Sequence, residues 1–143
     1  MGPDRLFAGP VRFGGTFKSL RIDFDAEKKR KPDMSINEVT PTEAMELLDG
    51  DAVLIDVRQE NEWDLGHAPM ATLIPLAELP DHLEELPRDR VVVCVCRSGA
   101  RSLRAATFLQ ENGYDVRNLA GGMMAWATQD LPFVSDGGKP SID

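Results

Sequence analysis

From Met34 onward the chain alternates short, continuously apolar runs with longer amphipathic stretches, and glycine or proline marks most of the boundaries. AVLID (Ala52 to Asp56), ATLIPL around Leu73 and Ile74, VVVCV (Val91 to Val95) and DVRNL (Asp115 to Leu119) have the length and character of strands. VVVCV is the clearest, apolar on both faces as a strand in a parallel sheet covered by helices on both sides must be. Thr40-Pro41-Thr42-Glu43 supplies a capping Thr, a Pro at the first helical position and a Glu that reaches back, predicting a helix to about Leu48 that Gly50 stops. Glu60 to Leu65 predicts a short helix and PDHLEEL (Pro80 to Leu86) another. Ser102 to Asn112 predicts an amphipathic helix closed by Gly113, and Gly121-Gly122 opens a last helix containing Met123 to Gln129. Strands alternating with helices in this order predict an α/β domain built on a mainly parallel sheet.

Residues 1–33 hold no sustained period and end in the basic run Lys28-Lys29-Arg30-Lys31, which predicts a flexible or loosely attached extension ahead of a domain spanning 34–135 and a short tail, 136–143. The basic run reads as a solvated linker, because one short charge cluster is weak evidence for a nucleic-acid or localisation role. Charge separates the two parts: residues 1–33 carry eight Lys/Arg against five Asp/Glu, the remainder eight against nineteen. An acidic body argues against nucleic acid as a partner. At 143 residues, 42% hydrophobic and 28% charged, the chain can bury the core of one globular domain. No segment approaches the ~20 apolar residues a bilayer span needs, and the N-terminal residues lack the apolar core of a secretory signal, so the expectation is a cytoplasmic protein with no membrane partner. Two cysteines at i and i+2, without CxxC or His/Cys spacing, imply neither a disulfide framework nor a metal, and no cofactor is expected.

Both cysteines fall in VVVCVCRSGARS, residues 91 to 102. Ligands of open α/β sheets sit beyond the C-terminal ends of the strands, and Cys96 ends the most hydrophobic strand just ahead of a helix. The intervening Arg97, Ser98, Gly99, Ala100 and Arg101 can curl so that successive backbone N–H groups point inward, an anion-binding nest at a helix N-terminus. Such a nest favours thiolate over thiol at Cys96, and Arg97 and Arg101, with Arg104 nearby, add positive charge to an otherwise acidic body. Cys94 lies within the strand without charged neighbours and reads as buried packing. Cα atoms two residues apart on a strand are ~6.5–7 Å apart, near the outer limit for a disulfide.

CRSGARS after an apolar strand resembles the active-site loop of single-domain rhodaneses, the thiosulfate-type sulfurtransferases. LIDVRQENEWDLGHAPMATLIPL (Leu54 to Leu76) resembles the family's upstream Asp-x-Arg, Glu, Gly-His and Ile-Pro pattern, and LAGGMMAW with LPFV resembles its closing segment. The resemblance covers about residues 34–135 in the right order. It implies the rhodanese-like three-layer fold and a persulfide mechanism. In that mechanism Cys96 takes the outer sulfur of a small anionic donor such as thiosulfate, expels sulfite, and passes the sulfur to cyanide, a thiol or a protein acceptor. The backbone N–H groups of residues 97 to 101 would stabilise the persulfide anion, and Arg97 and Arg101 would favour dianionic thiosulfate over mercaptopyruvate. Related phosphatases of the same fold carry Cys-x5-Arg; Cys96 to Arg101 is Cys-x4-Arg, a smaller cradle suited to one sulfur atom, with Ser102 where a phosphatase has its arginine.

Several other residues carry alternatives. Arg58, after the second predicted strand, either contributes to substrate binding or forms an internal ion pair with Glu62 that orders the turn. His67 reads as a structural hydrogen-bonding residue, Trp126 as core or pocket wall, and Gly121-Gly122 as a turn or a close approach to the site. Met70 and Asp130 depart from the family pattern, each standing where a small residue or Gly is common. A second functional reading keeps the fold but makes the chain a sulfur-carrier or docking module for a protein partner, with little thiosulfate activity and residues 1–33 as its docking element. A redox or phosphate-handling role is disfavoured by the loop length.

Overall fold

The computed structural model describes residues 35–135 and 140–142, so the predicted extension over 1–33 lies outside the described residues. The elements, in chain order, are β1 (Glu38–Val39), α1 (Pro41–Asp49), β2 (Val53–Asp56), α2 (Glu60–Leu65), β3 (Ala71–Leu73), a 3₁₀ segment (Leu76–Glu85), β4 (Val92–Val95), α3 (Ala100–Glu111), β5 (Val116–Leu119) and α4 (Gly122–Thr128). The strands form one sheet in the order β1-β5-β4-β2-β3, every pairing parallel.

β4 sits at the centre, and its apolar character on both faces has a direct consequence there. Val92, Cys94 and, just beyond the strand, Cys96 pack on one face against Ala105, Ala106 and Leu109 of α3 and Leu79 of the 3₁₀ segment. Val93 and Val95 pack on the other face with Ala44 of α1 and Met123 and Trp126 of α4. This is the helix–sheet–helix layering expected of the α/β class. Each fully buried Val or Leu contributes roughly 1.5–3 kcal/mol of hydrophobic stabilisation, which fixes the register of β4 against a one-residue slip.

Local chemistry explains most boundaries. α1 begins at a complete capping box: the Glu43 N–H donates to Thr40 Oγ1 (3.1 Å) and the Thr40 N–H to Glu43 Oε1 (2.9 Å). The helix predicted over Pro80–Leu86 is instead a ten-residue 3₁₀ segment that begins at Leu76. Pro80 lies inside it and interrupts its hydrogen-bond ladder, since it has no N–H to donate. α3 starts at Ala100, two residues earlier than predicted, so Ala100 and Arg101 belong to its first turn. β1, two residues long, carries no hydrophobic signal of its own and was not foreseen; it exists because Glu38 and Val39 register against Asn118 and Leu119. Asp130 adopts φ +59, a left-handed conformation that explains why glycine is common at its position. Near the C-terminus, the Ser141 N–H donates to the Leu65 carbonyl (2.9 Å) and Ile142 packs against the core. No helix among the described residues is long and apolar enough to cross a membrane.

Candidate active site

The chain runs from β2 outward to β3, then returns through β4 and moves the other way to β5. The crevice between β2 and β4 is therefore the point where the direction of winding reverses, and ligands of open α/β sheets bind at the C-terminal edge of such a point. Cys96 follows β4 there. It is only 1% exposed, so a reagent must be slim to reach its sulfur.

The loop after Cys96 is shaped by what its carbonyls do. The Cys96 carbonyl accepts the Met123 N–H (2.7 Å) and the Arg97 carbonyl accepts the Met124 N–H (3.1 Å), so both oxygens turn away from the sulfur toward the start of α4. Gly99, at φ +117, then reverses the chain, and its N–H donates to Cys96 Sγ at 3.1 Å. A side chain at Gly99 would be strained by that φ whatever the space around it. Gly122 lets α4 approach: a Cβ built there would lie 2.4 Å from the Arg97 oxygen and 2.5 Å from the Cys96 oxygen. The glycine pair thus both turns the chain and allows a close approach to the site.

The Ser102 hydroxyl lies 3.4 Å from Cys96 Sγ. Burial pushes the Cys96 thiol up, but the Ser102 hydroxyl, when its proton turns toward the sulfur, and the backbone N–H groups of Ser102, Gly99 and Ser98 favour the thiolate and bring the thiol below its ordinary value. Cys94 lacks such donors, and desolvation, with a smaller contribution from Cys96, pushes it up to about 12. The two thiols differ in their surroundings: hydrogen-bond donors favour the thiolate of Cys96, whereas Cys94 is buried within the strand.

The arginines are placed differently from one another. Arg101 extends from α3 across the crevice to Glu62 of α2 in a bidentate pair, Nη1 to Oε1 at 2.8 Å and Nη2 to Oε2 at 2.9 Å. That hydrogen bond is the main reason the Glu62 carboxyl is lowered to about 2, against an opposing desolvation. Arg101 therefore brings much less net charge to a dianion than its sequence position promised. Arg58 is paired with Asp56, not with Glu62. Its Nη2 donates to Asp56 Oδ2 (2.7 Å) and to the Gly66 carbonyl (2.7 Å), and Nε donates to Asp56 Oδ1 (2.9 Å). At 1% exposure Arg58 offers no face to a substrate; Asp56, two residues back, takes its guanidinium in a bidentate pair, while Glu62 is engaged by Arg101. Arg97 is half-buried, while Ser98, Ala100 and Arg104 are exposed. The structure thus brings Cys96, Ser98, Gly99 and Arg101 together and sets Arg58 apart as a brace between β2 and the end of α2. His67 stacks on Trp63 (3.6 Å between centroids, 5° between planes), and its Nδ1 lies 2.9 Å from the Trp63 carbonyl, a structural role. Trp126 is core, its Nε1–H donating to the Pro132 carbonyl (2.8 Å).

Three polar residues stand at the site without a role there having been assigned from the sequence: Ser102 and Glu62, which lie in the motifs, and Asn118, which does not. Ser102 is visible in retrospect as a small hydroxyl in the first turn of the helix after the nucleophile. Asn118 is a polar residue at a strand position where DVRNL predicts burial, and it is satisfied there by Ser102, Glu38 and Gly99. Among the described residues no group of His, Cys, Asp or Glu could hold a metal ion.

With this geometry in place, comparison with known proteins defines the class. The rhodanese-like domain family matches residues 40–129, and the chain belongs to that family. It is 44% identical over 89 residues to a sulfurtransferase of Allochromatium vinosum, covering 62% of this chain and 83% of that protein. It is 33% identical over 95 residues to the thiosulfate sulfurtransferase GlpE of Pseudoalteromonas translucida, covering 65% of this chain and 90% of that protein. Among solved structures, a rhodanese-related protein from Thermoplasma volcanium matches with a TM-score of 0.65 at 26% identity, over 68% of this chain and 97% of that one.

Proposed function

We propose that the protein is a sulfurtransferase that carries a sulfane sulfur on Cys96 as a persulfide. The observation that carries the reading is the Cys96 sulfur itself, held in a four-residue loop before Arg101 and facing the Gly99 N–H at 3.1 Å. The thiolate attacks the outer sulfur of a donor such as thiosulfate; the S–S bond of the donor breaks, and sulfite leaves with the electron pair. The resulting persulfide anion places its charge on the outer sulfur, where the loop N–H groups act as preorganised donors. Cyanide or a thiol then attacks that outer sulfur, and Cys96 departs as thiolate, ready for another cycle. Sulfurtransferase relatives, one named for thiosulfate, support the donor class. Cytoplasm, where thiol acceptors stay reduced, is the compartment this chemistry fits.

The Glu62–Arg101 pair favours a second reading, in which the same persulfide is exchanged with a protein partner. With Arg101 neutralised, the pull on a free dianion is weaker, and the residues flanking the loop include the exposed side chains of Leu103 and Met124. One experiment separates the two. Incubation with thiosulfate followed by intact mass reports one added sulfur, and cyanide then reports thiocyanate. The enzyme reading expects both in the wild type and neither in Cys96→Ser; undiminished turnover in Cys96→Ser would sink it. A persulfide that forms yet passes only to a protein thiol would favour the carrier.

A further inference from the structure

The Ser102 hydroxyl has one proton and three neighbours that could claim it. Asn118 Oδ1 is at 2.6 Å, the Gly99 carbonyl at 3.3 Å and Cys96 Sγ at 3.4 Å. The orientation of Asn118, a β5 residue only 2% exposed, is fixed by its other partners. Its Nδ2 donates to Glu38 Oε2 (3.1 Å) and to the Gly99 carbonyl (3.2 Å), and both can only accept. Reversing the amide would set its oxygen against two oxygens, so Oδ1 faces Ser102. Oδ1 cannot donate, and the 2.6 Å contact therefore holds the Ser102 proton.

We propose that Asn118 is a positioning residue for Cys96, holding the Ser102 hydroxyl proton away from the sulfur and so opposing the bare thiolate. With the proton on Asn118, Ser102 Oγ presents lone pairs to Sγ, an arrangement that suits an S–H donor. Ionisation of Cys96 asks the hydroxyl to turn toward sulfur, which leaves Oγ and Oδ1 facing each other with no proton between them. Once a sulfur is added, the charge moves to the outer atom, Sγ needs no donor, and Ser102 can return to Asn118. Asn118 thus favours the thiol and the loaded persulfide over the empty thiolate.

This rests on the reading of Cys96 as the nucleophile. The titratable or charged groups around it include Cys94 on β4, Arg97 beside it in the loop, Arg101 on α3 with its partner Glu62 on α2, Asp56 and Arg58 at the end of β2, and Glu38 on β1 behind Asn118. α4 contributes no titratable side chain. Substitution at 118 leaves all of these charges in place.

The test is the pH titration of thiolate absorbance, with the Cys96→Ser chain as baseline. It is run on wild type, Asn118→Ala, Ser102→Ala and the double variant, each checked for a cooperative thermal transition. Asn118→Ala is expected to lower the Cys96 midpoint by about one pH unit, the size of one hydrogen bond to a charged acceptor. The shift is expected to vanish in the Ser102→Ala background. Asn118→Ser, which withdraws the acceptor with a smaller loss of side chain, carries the same expectation should the alanine variant fail to fold. No shift, an upward shift, or an equal shift without Ser102 overturns the proposal; the last two would place the effect in the Gly99 contact. The titration uses no sulfur donor, so failure of the sulfurtransferase reading would leave its result standing.

Discussion

Gly122→Ala tests how the loop is held. At φ +62 an alanine costs about 1–2 kcal/mol on backbone grounds alone. Its Cβ would also lie 2.4 Å from the Arg97 oxygen and 2.5 Å from the Cys96 oxygen, and neither atom belongs to a flexible side chain that could swing aside. Relief must come from moving α4 or the loop, an overpacking cost of about 1–3 kcal/mol. That movement stretches the hydrogen bonds from Met123 and Met124 to the same carbonyls, now 2.7 and 3.1 Å. The expected loss is about 2–5 kcal/mol, a large part of the ~5–15 kcal/mol that stabilises a domain of this size. Urea unfolding should show a lower midpoint at unchanged slope. Sulfur loading of the folded fraction should fall at least about tenfold, because the carbonyls that aim the Gly99 N–H inward have shifted. A loss below about 0.5 kcal/mol with unchanged loading would refute the claim that α4 sets the loop's shape.

Glu62→Gln removes the carboxylate that engages Arg101, and thiosulfate should load at a lower half-saturating concentration, while stability falls by about 1 kcal/mol for this partly exposed pair. Because the folded-state Glu62 carboxyl is lowered to about 2, the wild-type pair stabilises the fold fully above the ordinary value of 4.5 and loses that contribution as pH falls toward 2; Glu62→Gln should flatten this part of the acid-unfolding curve. Asp130→Gly relieves a non-glycine residue at φ +59 and should raise the thermal midpoint, by the equivalent of about 1 kcal/mol; an unchanged midpoint would remove strain from the account of that turn.

The sequence carried the layering well because its signals were local and mutually consistent. The capping box at Thr40, the doubly apolar Val91–Val95 run and the glycine pair at 121–122 each specify an element without help from distant residues. What was not legible depended on partners far along the chain. β1 exists only through pairing with residues 118 and 119, and the amphipathic pattern around Pro80 winds as a 3₁₀ segment that begins four residues earlier. Ion-pair partners were harder still: the spacing of Arg58 and Glu62 looked helical and local, yet Arg58 turned back to Asp56 and Glu62 crossed to Arg101, 39 residues on. Cys96 and its glycine turn could be placed from the motif, whereas Ser102 and Asn118 became visible as a pair only when β5 lay beside β4.

The most direct measurement of the central claim is the intact mass of the Cys94→Ala chain after thiosulfate, mapped by peptide and followed by cyanide. With Cys94 inert in the strand, the chain should gain one sulfur, on the peptide containing Cys96, and lose it to cyanide as thiocyanate. A chain that gains no sulfur, or that holds it anywhere but Cys96, would contradict the assignment.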